Sequence, residues 1–210
     1  MKEVRVVTVF YFVRHGKTEI NAAGRFNGGS VDSPLIPEGV QATKKIGEYL
    51  REVSFDVALS SPQMRAQTTT KLILQENLQP PELRIVEDLR ELRIGDWDGK
   101  RITEIKERFP EQFRLYREAP DQFDAKLFHG ESYAELITRS RRVLEETAKA
   151  YPNEKVLVVS HGILLMALLN TLKGIPLAKI REGGIVDNSS LTVLHYSKNE
   201  CLFEMWGKTF

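Results

Sequence analysis

Four short stretches hold the residue types that can do chemistry. Arg14 and His15 stand side by side before Gly16, directly after the apolar run Val6 to Val13. Arg65 follows Ser60-Ser61-Pro62-Gln63-Met64, just beyond the apolar Val57 to Leu59. Glu91 lies in Leu89-Arg90-Glu91, ahead of Gly95-Asp96-Trp97-Asp98-Gly99. His161 sits between Ser160 and Gly162, after Val156 to Val159. Two guanidinium groups offer planar forks of donors that match phosphate oxygens. A helix beginning at Pro62 would add free N–H groups and a positive dipole end. Arg65 at that end is unfavourable by up to about 1 kcal/mol unless an anion lies beside it. Each histidine has a glycine behind it, which lets the backbone approach a ligand closely. Glu91 can give and take a proton.

The elements that must position these residues follow from the apolar pattern. β-branched runs predict strands at Val6 to Val13, Val57 to Leu59, Arg84 to Val86, Val156 to Val159, Leu191 to Tyr196 and Leu202 to Trp206. The last two read as a terminal hairpin. Helical spacing predicts helices over Glu38 to Val53, Pro62 to Leu74 with Ser61 as its cap, Tyr133 to about Tyr151, and Ile163 to Leu172. Ser132-x-x-Glu135 is a capping box for the third of these. The alternation reads as an α/β fold: a three-layer α/β/α sandwich with a mostly parallel central sheet and helices on both faces. Residues 1–210 read as a single domain. Segment 100–129 is charged, aromatic and broken by Pro110 and Pro120, and reads as a helical cap within that domain. In a parallel sheet the carboxyl ends of the strands share one edge, so the four stretches can meet in one crevice.

Lys plus Arg number 30 and Asp plus Glu number 29, a net charge of +1. That balance excludes the overall basic character of a dedicated nucleic-acid binder. With 41% hydrophobic residues the chain is no disordered polyampholyte. The single cysteine, Cys201, makes no internal disulfide and reads as a small apolar residue. The apolar N-terminal run Val4 to Val13 is interrupted by Arg5 and Thr8, and no stretch has transmembrane length. The expectation is a cytoplasmic protein that engages neither membrane nor nucleic acid. Oligomeric state is open, a homodimer included.

The ordered set of motifs resembles the histidine phosphatase superfamily, also called phosphoglycerate mutase-like. It runs from Arg14-His15-Gly16, Thr18, Glu19 and Asn21 through Gly24 to Gly28, Asp32 to Leu35, Gly39 and Gln41-Ala42. It resumes at Ser60 to Thr68, Glu91 to Gly99, Gly130-Glu131-Ser132 and Ser160-His161-Gly162. What the resemblance implies is two-step phosphoryl transfer through a phosphohistidine. His15 would be the nucleophile. Arg14, Arg65 and His161 would form the phosphate pocket, with Asn21, Thr18 and Gly162 assisting. Glu91 would protonate the leaving oxygen and then activate water. The implied enzyme needs no metal or other cofactor and acts on a small phosphorylated substrate. The chemistry agrees. A neutral imidazole, with an unperturbed pKa of about 6.5, is a nucleophile near neutral pH. Phosphoryl transfer depends chiefly on charge stabilisation.

Departures point to a subfamily. Cofactor-dependent phosphoglycerate mutases carry an Arg-Arg pair in a longer insertion; segment 100–129 has none. The Gly95 to Gly99 pattern looks like the bacterial branch that includes broad-specificity and α-ribazole phosphatases. The expectation is therefore a phosphomonoesterase. A phosphoglycerate mutase, a regulatory protein phosphatase and a non-catalytic phospho-ligand binder are the alternatives. Trp97, Phe109, Phe113, Tyr116, Phe123 and Phe128, with Arg101, Arg108, Arg114 and Arg117, would give the cap an aromatic and cationic lining. His129 reads as a loop residue, and His195 as a structural strand residue. Glu131 and Ser132 read as helix-start residues as readily as substrate contacts.

Overall fold

The computed structural model describes residues 6–198 and 200–210. Val4 and Arg5 of the N-terminal run, and Asn199 between the last two expected strands, lie outside them. The elements are β1 (Thr8–Arg14), α1 (Glu19–Ala22), α2 (Pro37–Tyr49), β2 (Val57–Ser60), α3 (Met64–Glu76) and β3 (Leu83–Ile85). Then come α4 (Ile102–Arg108), α5 (Pro110–Glu118), α6 (Tyr133–Ala150), β4 (Lys155–Ser160), α7 (Gly162–Leu172), β5 (Leu191–Ser197) and β6 (Glu200–Lys208).

The strands form one sheet in the order β3-β2-β4-β1-β5-β6. β1 to β4 run parallel, β5 is antiparallel to β1, and β6 pairs antiparallel with β5. Strands buried on both faces need no alternation, and β2 is buried throughout, as is β4 after Lys155. Side chains still alternate between two cores. Val13, Ala58, Leu157 and Val159 face α2 and α3, where Ile46, Leu50, Ala66 and Ile73 complete one cluster. Phe10, Phe12, Val156 and Val158 face α6 and α7, meeting Leu136, Leu144, Leu164 and Leu168. This is the three-layer α/β/α arrangement with its carboxyl-terminal strand ends on one edge.

Segment 100–129 is helical. It contains α4, α5 and a short 3-10 turn at Ala125–Phe128. Its aromatic residues are mostly core. Trp97 is 1% exposed and packs on Phe26, Phe109, Tyr116, Phe123 and Phe128, with the nearest ring centroid 4.7 Å away. Each such ring contributes about 1.5–3 kcal/mol through burial. The cluster is continuous with the α6–α7 core. Gly95 fixes the segment's closure. It has φ +59°, and a Cβ there would lie 1.6 Å from the Phe128 carbonyl oxygen, so only glycine fits.

Several helix boundaries differ from the sequence expectation, two of them for a visible reason. α2 ends at Tyr49, because Leu50 to Val53 close a turn in which Val53 N–H donates to the Leu50 carbonyl. α3 starts at Met64 rather than Pro62. Its first donors, Met64 N–H and Arg65 N–H, go to the Asp32 carboxylate, 32 and 33 residues earlier. The Ser61 hydroxyl accepts from Gln63 N–H, just ahead of the helix, at 3.3 Å and also pairs with His161. Among the described residues no helix is long and apolar enough to cross a membrane.

Candidate active site

The four stretches meet at the carboxyl-terminal edge of the sheet. β1 delivers Arg14 and His15, β2 delivers Ser61, and β4 delivers His161. The His15 and His161 rings stand 5.1 Å apart, tilted by 58°. His15 is 2% exposed, and Arg65 and His161 are fully buried. His15 Nδ1 donates to the Gly16 carbonyl at 2.8 Å, since a carbonyl can only accept. The lone pair of the neutral ring is thereby placed on Nε2. Burial first, then Arg65 and Arg14, hold the His15 imidazole well below its ordinary value of 6.5. Burial, Arg65, His15 and Arg14 do the same to His161.

Arg65 is anchored through both Nη atoms and Arg14 through Nη1, and the Nε of each is spare. Arg65 gives Nη1 to the Val31 carbonyl (2.8 Å) and Asp32 (3.1 Å), and Nη2 to the Asn27 and Gly28 carbonyls (both 3.1 Å). Arg14 gives Nη1 to the Val186 carbonyl at 2.7 Å. Its guanidinium lies against Gly162, where a Cβ would come within 3.0 Å of Arg14 Cζ and Nε. His161 Nε2 pairs with Ser61 Oγ at 2.6 Å. With Ser61 donating, the imidazole proton sits on Nδ1. The spare groups, Arg14 Nε, Arg65 Nε and His161 Nδ1, are all buried without a hydrogen-bond partner. An unpaired buried donor costs about 1–3 kcal/mol. These three donors belong to groups clustered around His15.

Glu91 is 5% exposed. Its carboxylate accepts from Ile163 N–H (2.9 Å) and Leu164 N–H (3.0 Å), at the start of α7, and from Leu92 N–H (2.8 Å). A cavity of about 150 Å³ opens beside it. Arg14, Asn21, Glu91 and Gly162 line that cavity; His15, Arg65 and His161 do not. Thr18 does not face it either. Its fully buried hydroxyl caps α1 through Asn21 N–H and accepts from Asn27 Nδ2, so it orients Asn21 and Asn27. Of the expected cap residues, Phe113, Tyr116 and Arg117 reach the cavity. Arg101, Arg108 and Arg114 do not, and Trp97, Phe109, Phe123 and Phe128 are core. The free N–H groups expected at the start of α3 are already capped by Asp32, so that helix end offers no independent anion site.

Several supporting residues had no signal in the sequence. Gln63 accepts from Glu91 N–H and donates to the Gly28 and Val31 carbonyls, all at 3.0 Å. Arg139 clamps Glu131 with Nε (2.6 Å) and Nη2 (2.8 Å), and reaches the Asp88 and Glu91 carbonyls. Glu131 is thus a structural anion, and Ser132 closes the predicted capping box with Glu135. Asp96 pairs with exposed His129, and Asp98 holds Ser30 N–H. His195 pairs with Glu204, and Cys201 is a half-buried free thiol in β6.

The depressed imidazoles make stability depend on pH. The unfolded chain takes up protons on both histidines as pH falls through about 6.5, while the folded chain does not. Stability is therefore expected to fall between pH 7 and pH 5, with a slope of up to about 3 kcal/mol per pH unit for the pair. Glu135, lowered to about 2 by Lys126 and Ser132, adds its own loss only below about pH 4.5. Urea denaturation at half-unit steps checks this. A flat profile from pH 7 to 5 contradicts it.

A three-layer fold with paired histidines and arginines on its carboxyl edge has a known home. Residues 10–209 match the model of the histidine phosphatase superfamily (branch 1), and the chain belongs to that family. Phosphoserine phosphatase 1 of Hydrogenobacter thermophilus is 34% identical over 185 residues, 87% of this chain and 84% of that protein. A metal-independent phosphoserine phosphatase of Arabidopsis thaliana is 30% identical over 201 residues, 96% and 82%. Other relatives are named probable phosphoglycerate mutase. The solved structure of Bacillus stearothermophilus YhfR superposes with TM-score 0.88 at 28% identity, covering 95% of this chain and 96% of that one.

Proposed function

We propose that the protein is a metal-independent phosphomonoesterase working through a phosphohistidine on His15. The observation that carries this is the set of three buried, unpartnered donors, Arg14 Nε, Arg65 Nε and His161 Nδ1, grouped around a neutral imidazole. Three donors match the phosphoryl oxygens whose charge must be held during transfer. His15 Nε2 attacks phosphorus, and the bond from phosphorus to the ester oxygen breaks. Glu91 gives that oxygen its proton. Water then attacks the phosphohistidine, Glu91 takes a proton from it, and phosphate leaves. A site walled by guanidinium groups repels a divalent cation, which is why the arginines, and not a metal, take the role of charge stabiliser. Asn21 touches the cavity and Thr18 orients it.

Hydrolysis of p-nitrophenyl phosphate and of small alkyl phosphates is expected to continue undiminished in excess EDTA. Loss of activity in chelator, with recovery on adding a divalent metal, would overturn the reading.

A further inference from the structure

The proton donor and the phosphate-holding cation Arg65 stand on different elements. Glu91 follows β3, whereas Arg65 lies in the first turn of α3. Proton transfer needs the carboxyl within about 2.6–3.2 Å of the departing oxygen. An error near 1 Å can cost about 100-fold in rate. The Arg65 guanidinium hangs on four acceptors, two of them the Gly28 and Val31 carbonyls. Those same two carbonyls accept from Gln63 Nε2, both at 3.0 Å. The other end of that amide, Oε1, accepts from Glu91 N–H at 3.0 Å. The partners fix the amide's orientation, since a carbonyl accepts and a main-chain N–H donates. A carboxamide meets all three; a carboxylate lacks the donors and an ammonium lacks the acceptor. Gln63 is 3% exposed, so solvent cannot replace these contacts. It stands at the head of α3, yet its side chain does not cap that helix. Its main-chain N–H donates to Ser61 Oγ, which pairs with His161. Gln63 does not line the cavity beside Glu91, so it acts through its neighbours and not on substrate.

We propose that Gln63 is a positioning residue for phosphoryl transfer: its amide ties the main chain of Glu91 to the carbonyls that hold Arg65, and so sets the reach of the acid to the ester oxygen. This rests on the phosphatase reading above, with Glu91 as the proton donor. The Glu91 carboxylate is oriented separately, by the N–H groups of Ile163, Leu164 and Leu92. Arg65 keeps its four acceptors without Gln63. Loss of the amide therefore leaves each group on its own element and releases the spacing between them.

Gln63→Met keeps an unbranched side chain of similar length and removes the amide. In that variant kcat/KM for small alkyl phosphates is expected to fall about 10- to 100-fold. For p-nitrophenyl phosphate, whose leaving oxygen needs little protonation, the fall is expected to be less than about threefold. Inhibition by inorganic phosphate should stay within about twofold of wild type, because Arg14, Arg65 and His161 keep their spare donors. Gln63→Asn is polar but one methylene too short to span both ends. It should repeat the pattern at smaller size, and it keeps the test open if Gln63→Met fails to fold. An equal fall for both ester classes, phosphate affinity lost in step with turnover, or unchanged kinetics overturns the positioning role. That role alone fails if Glu91→Gln separates alkyl from aryl esters and the Gln63 variants do not. Wild-type protein that turns over neither ester class overturns the phosphatase reading, and the positioning role with it.

Discussion

A His15→Ala protein is expected to lose phosphatase turnover by about 10,000-fold or more, the scale for removing a covalent nucleophile. The geometry leaves one nucleophilic atom. His15 Nδ1 is tied to the Gly16 carbonyl, so Nε2 carries the lone pair. Burial and the two arginines keep the ring neutral, which makes that lone pair available without a general base. His161 cannot readily substitute, because its Nε2 is held by Ser61 at 2.6 Å. The three buried donors proposed to hold the phosphoryl group survive the substitution, so His15→Ala should still bind inorganic phosphate. That separates a nucleophile from a merely structural histidine. Wild-type enzyme quenched during turnover of a radiolabelled phosphomonoester should carry acid-labile, base-stable label, and His15→Ala none. Near-native turnover in folded His15→Ala, or label retained by it, would sink the assignment.

Much of this site could be read from the sequence because local pattern and strand direction both pointed to it. Val156 to Val159 is apolar without alternation, which marks an interior parallel strand and places His161 at its carboxyl end. The same reasoning placed Arg14 and His15. Supporting contacts were not legible, because they pair residues that no local period relates. Asp32 caps α3 from 32 residues away, and this moved the helix start past Pro62. Ser61 looked like a helix cap by position; its hydroxyl does accept Gln63 N–H just ahead of α3, but it also serves His161, 100 residues on. Thr18 looked like a phosphate ligand by motif, whereas its hydroxyl is spent within the loop. The aromatic residues of segment 100–129 suggested a lining by composition. Composition does not say which face is inward, and most of them form core around Trp97.

Glu91→Gln is expected to slow hydrolysis of alkyl phosphates by about 100- to 10,000-fold, the range for losing a positioned general acid. An aryl phosphate with an acidic phenol should lose far less, because its leaving oxygen needs little protonation. The contrast matters because Glu91 also holds the fold. Its carboxylate accepts the N–H groups of Ile163 and Leu164, which open α7, and that of Leu92. Glutamine has one acceptor oxygen, so at least one of these buried donors would face an amide NH2, at a cost of about 1–3 kcal/mol. Displacing the start of α7 would also shift Gly162, against which Arg14 packs. A purely structural lesion of that kind lowers both substrate classes together. Loss of the acid instead appears as turnover that depends steeply on leaving-group acidity, where wild type depends on it weakly. Measuring kcat for a series of aryl and alkyl phosphates on folded Glu91→Gln decides between them. A uniform drop across the series would leave Glu91 as a helix anchor and require another proton donor.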